Sequence, residues 1–312
     1  MEEADEGPAR RQFLDLPFIV GGSHPDAAWL LGRQRRRLAS RRHPLFRSGG
    51  EAGYFLARRS GRPVGRIAAH IHEPGGEGWF GFLVVEGPAD LDVADALVGA
   101  AARWLQRRGC VRLTGPMSFT AEEEAGVLIE GHDEPLVTAR AWTPPWYASL
   151  LTGAGLSVAE ELASYRIGTG DDLAVPHGSG PLPAAVPAEL VVPRELAPFA
   201  DPALLLALSG DGGAVVAVPD VGPALGAGRV RGAWSLARRA RRRSWDGCVV
   251  IGLDGPEEVL IPALCAAARK AGYQWVLSPW GPPGARPVLR HRLYTGQTGA
   301  VSGERPVGRP AR

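Results

Sequence analysis

The feature that most constrains this chain is a strand–helix–strand run that occurs twice. Trp79 to Val85 is a near-continuous apolar run, as a central strand buried on both faces requires. Ala89 to Arg108 then places Leu91, Ala94, Leu97, Val98, Ala101 and Leu105 on one helical face, with Asp90 as N-cap and Gly109 as the stop. Cys110 to Leu113 follows as a strand. The order recurs as a buried-type strand over Cys248 to Leu253, a helix over Glu257 to Ala271 and a strand over Gln274 to Leu277. Such a recurrence is the signature of a duplicated α/β unit rather than of one large sheet.

Around this frame, Arg33 to Arg42 reads as an Arg-rich helix stopped at His43-Pro44. Tyr54 to Arg58 and Pro63 to His72 read as strands joined by a Ser60-Gly61 turn. Pro145 to Thr152 reads as a short helix begun by proline, and Ala163 to Ile167 as the strand that closes the first half. Gly168 to Pro193 is dense in Gly and Pro without periodicity, as a linker is. Beyond it come a strand over Gly213 to Val218 and a basic helical stretch over Val230 to Arg243. The expected organisation is a disordered tail over 1–10, a first domain over 11–167, the linker over 168–193, a second domain over 194–300 and a disordered tail over 301–312. The second unit is short before Gly213 and is expected to be truncated.

With 45% apolar and 22% charged residues, the 312-residue composition is that of an ordinary globular protein. No apolar run approaches the roughly 20 residues of a membrane span. Met1 to Arg10 is acidic and has no apolar core, so no signal peptide is expected and the location is read as cytoplasmic. Cys110, Cys248 and Cys265 form no CxxC pair, which predicts buried thiols, no disulfide framework and no metal. The net charge is only +2, and Lys270 is the one lysine. That arginine bias, with abundant Ala, Gly and Pro, points to a GC-rich bacterial genome.

The segment Gly115 to Tyr147 reads GPMSFTAEEEAGVLIEGHDEPLVTARAWTPPWY. It resembles the YghO-like family of the GNAT (N-acetyltransferase-like) superfamily, whose pattern runs close to GPMNFSTNDECGLLVEGFDTPP and ends a later stretch in NPPYY. The likeness extends through His43 to Phe46, Gly65 to Ala69 and Gly81-Phe82, then Ala148 to Ile167, and more weakly into the second half. It implies an α/β fold of two tandem GNAT-like domains, each a mixed, bent sheet flanked by helices, and an acyl-transfer activity. In that superfamily a glycine-rich loop and the following helix N-terminus hold the coenzyme A pyrophosphate. Here the loops read Val84-Val85-Glu86-Gly87-Pro88-Ala89-Asp90 and Gly252-Leu253-Asp254-Gly255-Pro256-Glu257-Glu258. At each turn one glycine, Gly87 or Gly255, is followed by a proline without an N–H and flanked by carboxylates that repel phosphate. Leu151 stands where many such enzymes have a tyrosine acid, and Thr143 replaces the family asparagine.

Glu124 matches the motif glutamate and is the candidate general base, with Glu123 and Glu122 beside it; a solvated acidic turn is the alternative. Asp133 matches the family aspartate, and His132, replacing its phenylalanine, adds a group that titrates near neutrality. Tyr147 matches the last motif tyrosine as an acid or orienting group; Trp142 and Trp146 are candidates to line a substrate pocket, or core packing. Val84, Val85 and Gly87 are the positions at which an acyl-CoA would meet the strand end. His70 and His72 share one strand face, as a metal pair or as a plain sheet-face pair. The activity expected is acyl transfer to a small amine, hydroxyl or amino-acid-like substrate, in bacterial specialised metabolism, by a monomer or homodimer. The alternatives are a reaction without coenzyme A, a tRNA-dependent transfer using the runs Arg33 to Arg42 and Arg238 to Arg243, and a non-catalytic small-molecule binder.

Overall fold

Both strand–helix–strand runs fold as their patterning requires, and each supplies one parallel strand pair to a mixed sheet. The computed structural model describes residues 1–20, 32, 35, 38, 39, 43–73, 75–120, 124–171, 173, 179–181, 192, 196–208, 213–222, 238, 239 and 245–301. The first half comprises β1 (Glu2–Glu3), α1 (Gly7–Asp15), α2 (Pro44–Arg47), β2 (Glu51–Arg59), β3 (Arg62–Ile71), β4 (Gly78–Val85), α3 (Leu91–Gln106), β5 (Arg112–Gly115), β6 (Val127–Glu130), α4 (Tyr147–Gly153) and β7 (Ser157–Gly168). The second comprises β8 (Ser179–Pro181), β9 (Leu205–Leu208), β10 (Ala214–Pro219), β11 (Gly247–Asp254), α5 (Glu257–Lys270), β12 (Trp275–Ser278), β13 (Leu289–Gln297) and α6 (Thr298–Val301).

The described strands hydrogen-bond in the order β1-β2-β3-β4-β5-β13-β7-β12-β11-β10-β9-β8, with β6 paired to β13. β4–β5 and β11–β12 are parallel, as strand–helix–strand crossovers make them, and the other pairs are antiparallel. At the centre the halves exchange strands. The last strand, β13, lies between β5 and β7, with Tyr294 opposite Gly115 and Gln297 opposite Arg112. Reciprocally, the end of β7 pairs with β12, Tyr165 opposite Ser278 and Gly168 opposite Trp275. The strand expected over Ala163 to Ile167 is therefore longer and joins two sheets instead of closing one. The architecture is that of two GNAT-like units in tandem.

Packing follows the alternation of strand side chains. One face of the first half meets α3 through Ile67, Ala69, Ile71, Leu97, Ala101 and Leu105. The opposite face meets the N-terminal segment through Phe13, Leu16, Tyr54, Leu56, Ala68 and Phe82. In the second half, α5 packs Leu260, Ile261 and Leu264 on Val215, Ala217 and Val250.

The first ten residues differ from the expected tail. Glu2 and Glu3 pair with Leu56 and Phe55, Ala4 is buried, and Arg58 bonds Glu2. The acidic composition that suggested a tail instead supplies partners for β2. The Arg33–Arg42 and Arg238–Arg243 runs lie largely outside the described residues, as do most of the linker and residues 302–312.

Candidate active site

The site begins where β4 and β5 part. They pair at Gly78–Leu113 and Trp79–Thr114, and beyond this the Met117 N–H donates to the Phe80 carbonyl at 2.8 Å. Gly81 is required there, because any Cβ would overlap the Met117 carbonyl. The chain then doubles back as a hairpin. Met117 stands opposite Ala125, the Ser118 N–H donates to the Glu124 carbonyl at 2.8 Å, and the Gly126 N–H donates to that of Pro116 at 2.8 Å. Glu124 thus sits at the base of the hairpin, half-buried. Glu122 and Glu123 lie outside the described residues.

The hairpin covers the α1 face of the sheet, where Phe119 packs with Phe13, Tyr54 and Phe82. Arg66, on β3, projects onto this same face and is 1% exposed. One of its Nη atoms donates to the Phe13 carbonyl at 2.7 Å, and its guanidinium lies 4.9 Å from the Phe13 ring. Burial pulls its pKa down to about 9, while Tyr147 and Glu124 pull it up and Arg10 adds repulsion. It remains a cation at neutral pH. Arg10 itself lies over the Tyr54 ring at 3.5 Å.

Tyr147 opens α4 and is buried, its ring centre 4.7 Å from that of Trp146. Its hydroxyl oxygen accepts the Val85 N–H at 3.0 Å, and burial raises the phenol to about 12. The phenol therefore stays protonated, tied to the end of β4. Tyr147→Phe should leave the Val85 N–H buried without its acceptor and lower stability by about 1–3 kcal/mol, measurable by urea unfolding.

Past Val85 the expected cofactor end is held by charge. Arg59, the last residue of β2, pairs with Asp90 at 2.7 Å and Asp92 at 3.1 Å; Arg62 pairs with Glu86. Asp90 stands at the N-cap of α3, but its side chain bonds no helix N–H. The three carboxylates and Pro88 occupy the helix N-terminus beside Gly87.

His132, Asp133 and Trp142 are not part of this group. The loop over 131–146 crosses onto the second half, where Val137 packs with Val249 and Leu277. Thr138 donates both its N–H and its hydroxyl to Asp220, at 3.0 and 2.9 Å, and Asp220 also accepts the Gly222 N–H at 3.1 Å. Gly222 passes so close to the Leu136 carbonyl that a Cβ would overlap it. Arg140 donates to the Val250 carbonyl at 3.1 Å and the Ser164 hydroxyl at 3.2 Å. Val250 is the first β11 residue beyond the β11–β12 pairing, so the chain itself fills the gap there. His132 meets Trp142 edge to face at 6.5 Å, and Asp133 is exposed.

The structure thus joins Tyr147 to Val85, sets Glu124 in the hairpin that covers the face of buried Arg66, and places Trp142, with His132 beside it, at the seam. Arg66 and Asp220 were not singled out by sequence. The one signal for Arg66 was a charge inside the apolar run Val64 to Ile71; Asp220 carried none. Among the described residues, no group of three His, Cys, Asp or Glu side chains could hold a metal ion, and no helix is long and apolar enough to cross a membrane.

Comparisons with known proteins agree with this architecture. A conserved protein of unknown function from Enterococcus faecalis V583, described as a probable N-acyltransferase, matches with a TM-score of 0.50 at 10% identity, over 95% of this chain and 72% of that one. No protein-family model matches. The chain is 33% identical to YghO of Escherichia coli K12 over 115 residues, 36% of this chain and 30% of that protein. It is 31% identical to the bacterial ceramide synthase of Caulobacter vibrioides over 170 residues, 52% of this chain and 44% of that enzyme. The matches span less than half the length of either relative. The structural likeness is one of fold: two GNAT-like units in tandem. In sequence, the chain is similar to these two relatives over those stretches.

Proposed function

We propose that the protein is an N-acyltransferase that acylates the amine of a small molecule, with the reaction in the first half where β4 and β5 part. The observation that carries this reading is that the hairpin bearing Glu124 and the Tyr147 hydroxyl, bonded to the Val85 N–H, both meet the sheet where β4 and β5 part. The ceramide synthase likeness supports an amine as acceptor, since a ceramide is an amide of an amino alcohol. An acyl-CoA, or another acyl thioester, would supply the activated carbonyl. The acceptor nitrogen forms a C–N bond to that carbonyl, the C–S bond breaks, and the thiol departs. Glu124 receives the proton lost from nitrogen. Tyr147, its oxygen engaged by the Val85 N–H, retains its own hydrogen to donate to the carbonyl oxygen or the departing sulfur.

Glu124→Gln should lower kcat/KM about 10²–10⁴-fold while leaving the thermal transition nearly unchanged. Unchanged turnover in that variant would remove Glu124 from the chemistry. A second reading, a donor held without its pyrophosphate, is favoured by the Arg59–Asp90–Asp92 cluster at α3. Acyl-CoA and the matching acyl-N-acetylcysteamine thioester should then react with similar kcat/KM. Strong preference for the coenzyme A form would exclude that second reading.

A further inference from the structure

His70 is fully buried, and neither of its ring nitrogens has a hydrogen-bond partner among the described residues. Buried polar atoms in folded proteins are nearly always paired, because an unmade bond leaves the loss of water uncompensated. Two unmet nitrogens on one ring therefore call for a use. The surroundings are aromatic. Phe119 stands edge-on to His70 at 5.5 Å and also meets His43 at 5.0 Å, Phe46 at 5.4 Å and Phe82 at 5.0 Å. The His72 ring is 6.0 Å away.

Position links this ring to the candidate chemistry. Arg66, Ala68 and His70 alternate along β3 and so share the α1 face. Phe119, which covers His70, belongs to the same hairpin as Glu124. We propose that His70 is the hydroxyl-binding residue of the acceptor subsite, so that the acceptor is an amine that also carries a hydroxyl group. The inference rests on the reading of amine acylation given above. Burial lowers the imidazole pKa to about 3, with His72 and His43 adding smaller repulsions, so the ring is neutral at physiological pH. A neutral imidazole offers a donor at one ring nitrogen and an acceptor at the other, and a hydroxyl, which can donate or accept, can pair with either one. His70 thereby fixes which end of the acceptor is held, and Glu124 receives the amine. Entry of the hydroxyl requires the Phe119 ring to turn aside.

The test is binding of dihydrosphingosine and of its hydroxyl-free counterpart octadecylamine, in detergent and without any acyl donor. The full chain should bind the amino alcohol about ten-fold more tightly, as one to two hydrogen bonds imply. His70→Phe should erase that preference, leave octadecylamine binding unchanged, and not lower the unliganded melting temperature, since no bond is lost. His70→Gln should restore part of the preference. Should the Phe variant fold poorly, His70→Leu serves for the same comparison. An equal preference in wild type and variant, or none in wild type, overturns the assignment. If the preference depends on His70 but no thioester donor yields an amide, the acylation reading fails and the hydroxyl subsite stands.

Discussion

Ending the chain after Val288 should abolish cooperative folding of the first half, even though every residue of that half is retained. β13 lies between β5 and β7 and also pairs with β6. Its loss removes three buried apolar side chains, Leu289, Leu293 and Tyr294, besides buried His291, each of the three worth about 1.5–3 kcal/mol in burial. It also strips β5 and β7 of a shared partner and exposes two edges to aggregation. A domain has about 5–15 kcal/mol in total, so no native state should survive. The expected readout is loss of near-ultraviolet circular dichroism and of a sigmoidal urea transition. Leu293→Ala, a milder version, should cost about 2–5 kcal/mol and keep one transition for both halves. A truncated protein with a cooperative transition would show that β13 is dispensable.

Asp220→Ala should cost on the order of 3 kcal/mol, because one carboxylate oxygen accepts three hydrogen bonds in a buried setting. The Thr138 and Gly222 N–H groups would then lie without an acceptor, and the loop over 131–146 would lose its anchor on the second half. Asp220→Asn should cost less, since its carbonyl oxygen can accept the same bonds. The pH dependence has a definite sign. Burial raises the Asp220 pKa above its ordinary value, against the lowering effect of the Thr138 and Gly222 bonds. The native state therefore holds this proton more tightly than the unfolded chain, so the stability Asp220 contributes is greatest at acid pH. It falls as pH rises from the ordinary carboxylate value through the raised native one. The melting-temperature advantage of wild type over Asp220→Asn should grow on acidification. An advantage that instead shrinks would mean that the hydrogen bonds outweigh burial.

The local elements were largely legible because they depend on neighbouring residues. The run Trp79 to Val85, the helix after Asp90 and the turn at Ser60-Gly61 all appear where periodicity and turn chemistry place them. The acidic first residues misled for a related reason: β1 is two residues long, and its pairing with β2 is a long-range event with no periodic signal. β13 was missed although Leu289, His291 and Leu293 alternate with Arg290 and Arg292 as a half-buried strand does. Those arginines read as surface, and in the fold they pair with Glu130 and Glu161 on neighbouring strands.

The candidate site divides in the same way. Glu124 and Tyr147 stood out as motif positions, and the hairpin and α4 that carry them meet the same sheet near the end of β4. His132, Asp133 and Trp142 lie in the same motif, yet the chain crosses onto the second half between them and Tyr147. Proximity in sequence carried no information about which face each would occupy.

By itself, then, the sequence determined the α/β class, the duplication and the acidic, proline-bearing loops that replace a phosphate cradle. These are properties of residue type and spacing within one element or one turn. Only the tertiary structure decided that the halves exchange β7 and β13, that Asp220 and Arg140 lock the motif loop into the second half, and that Arg66 and His70 share the α1 face. Those outcomes depend on which distant strands pair and on what lies opposite each buried polar atom. Pairing is settled by the burial of the whole sheet at once, and no local pattern records it.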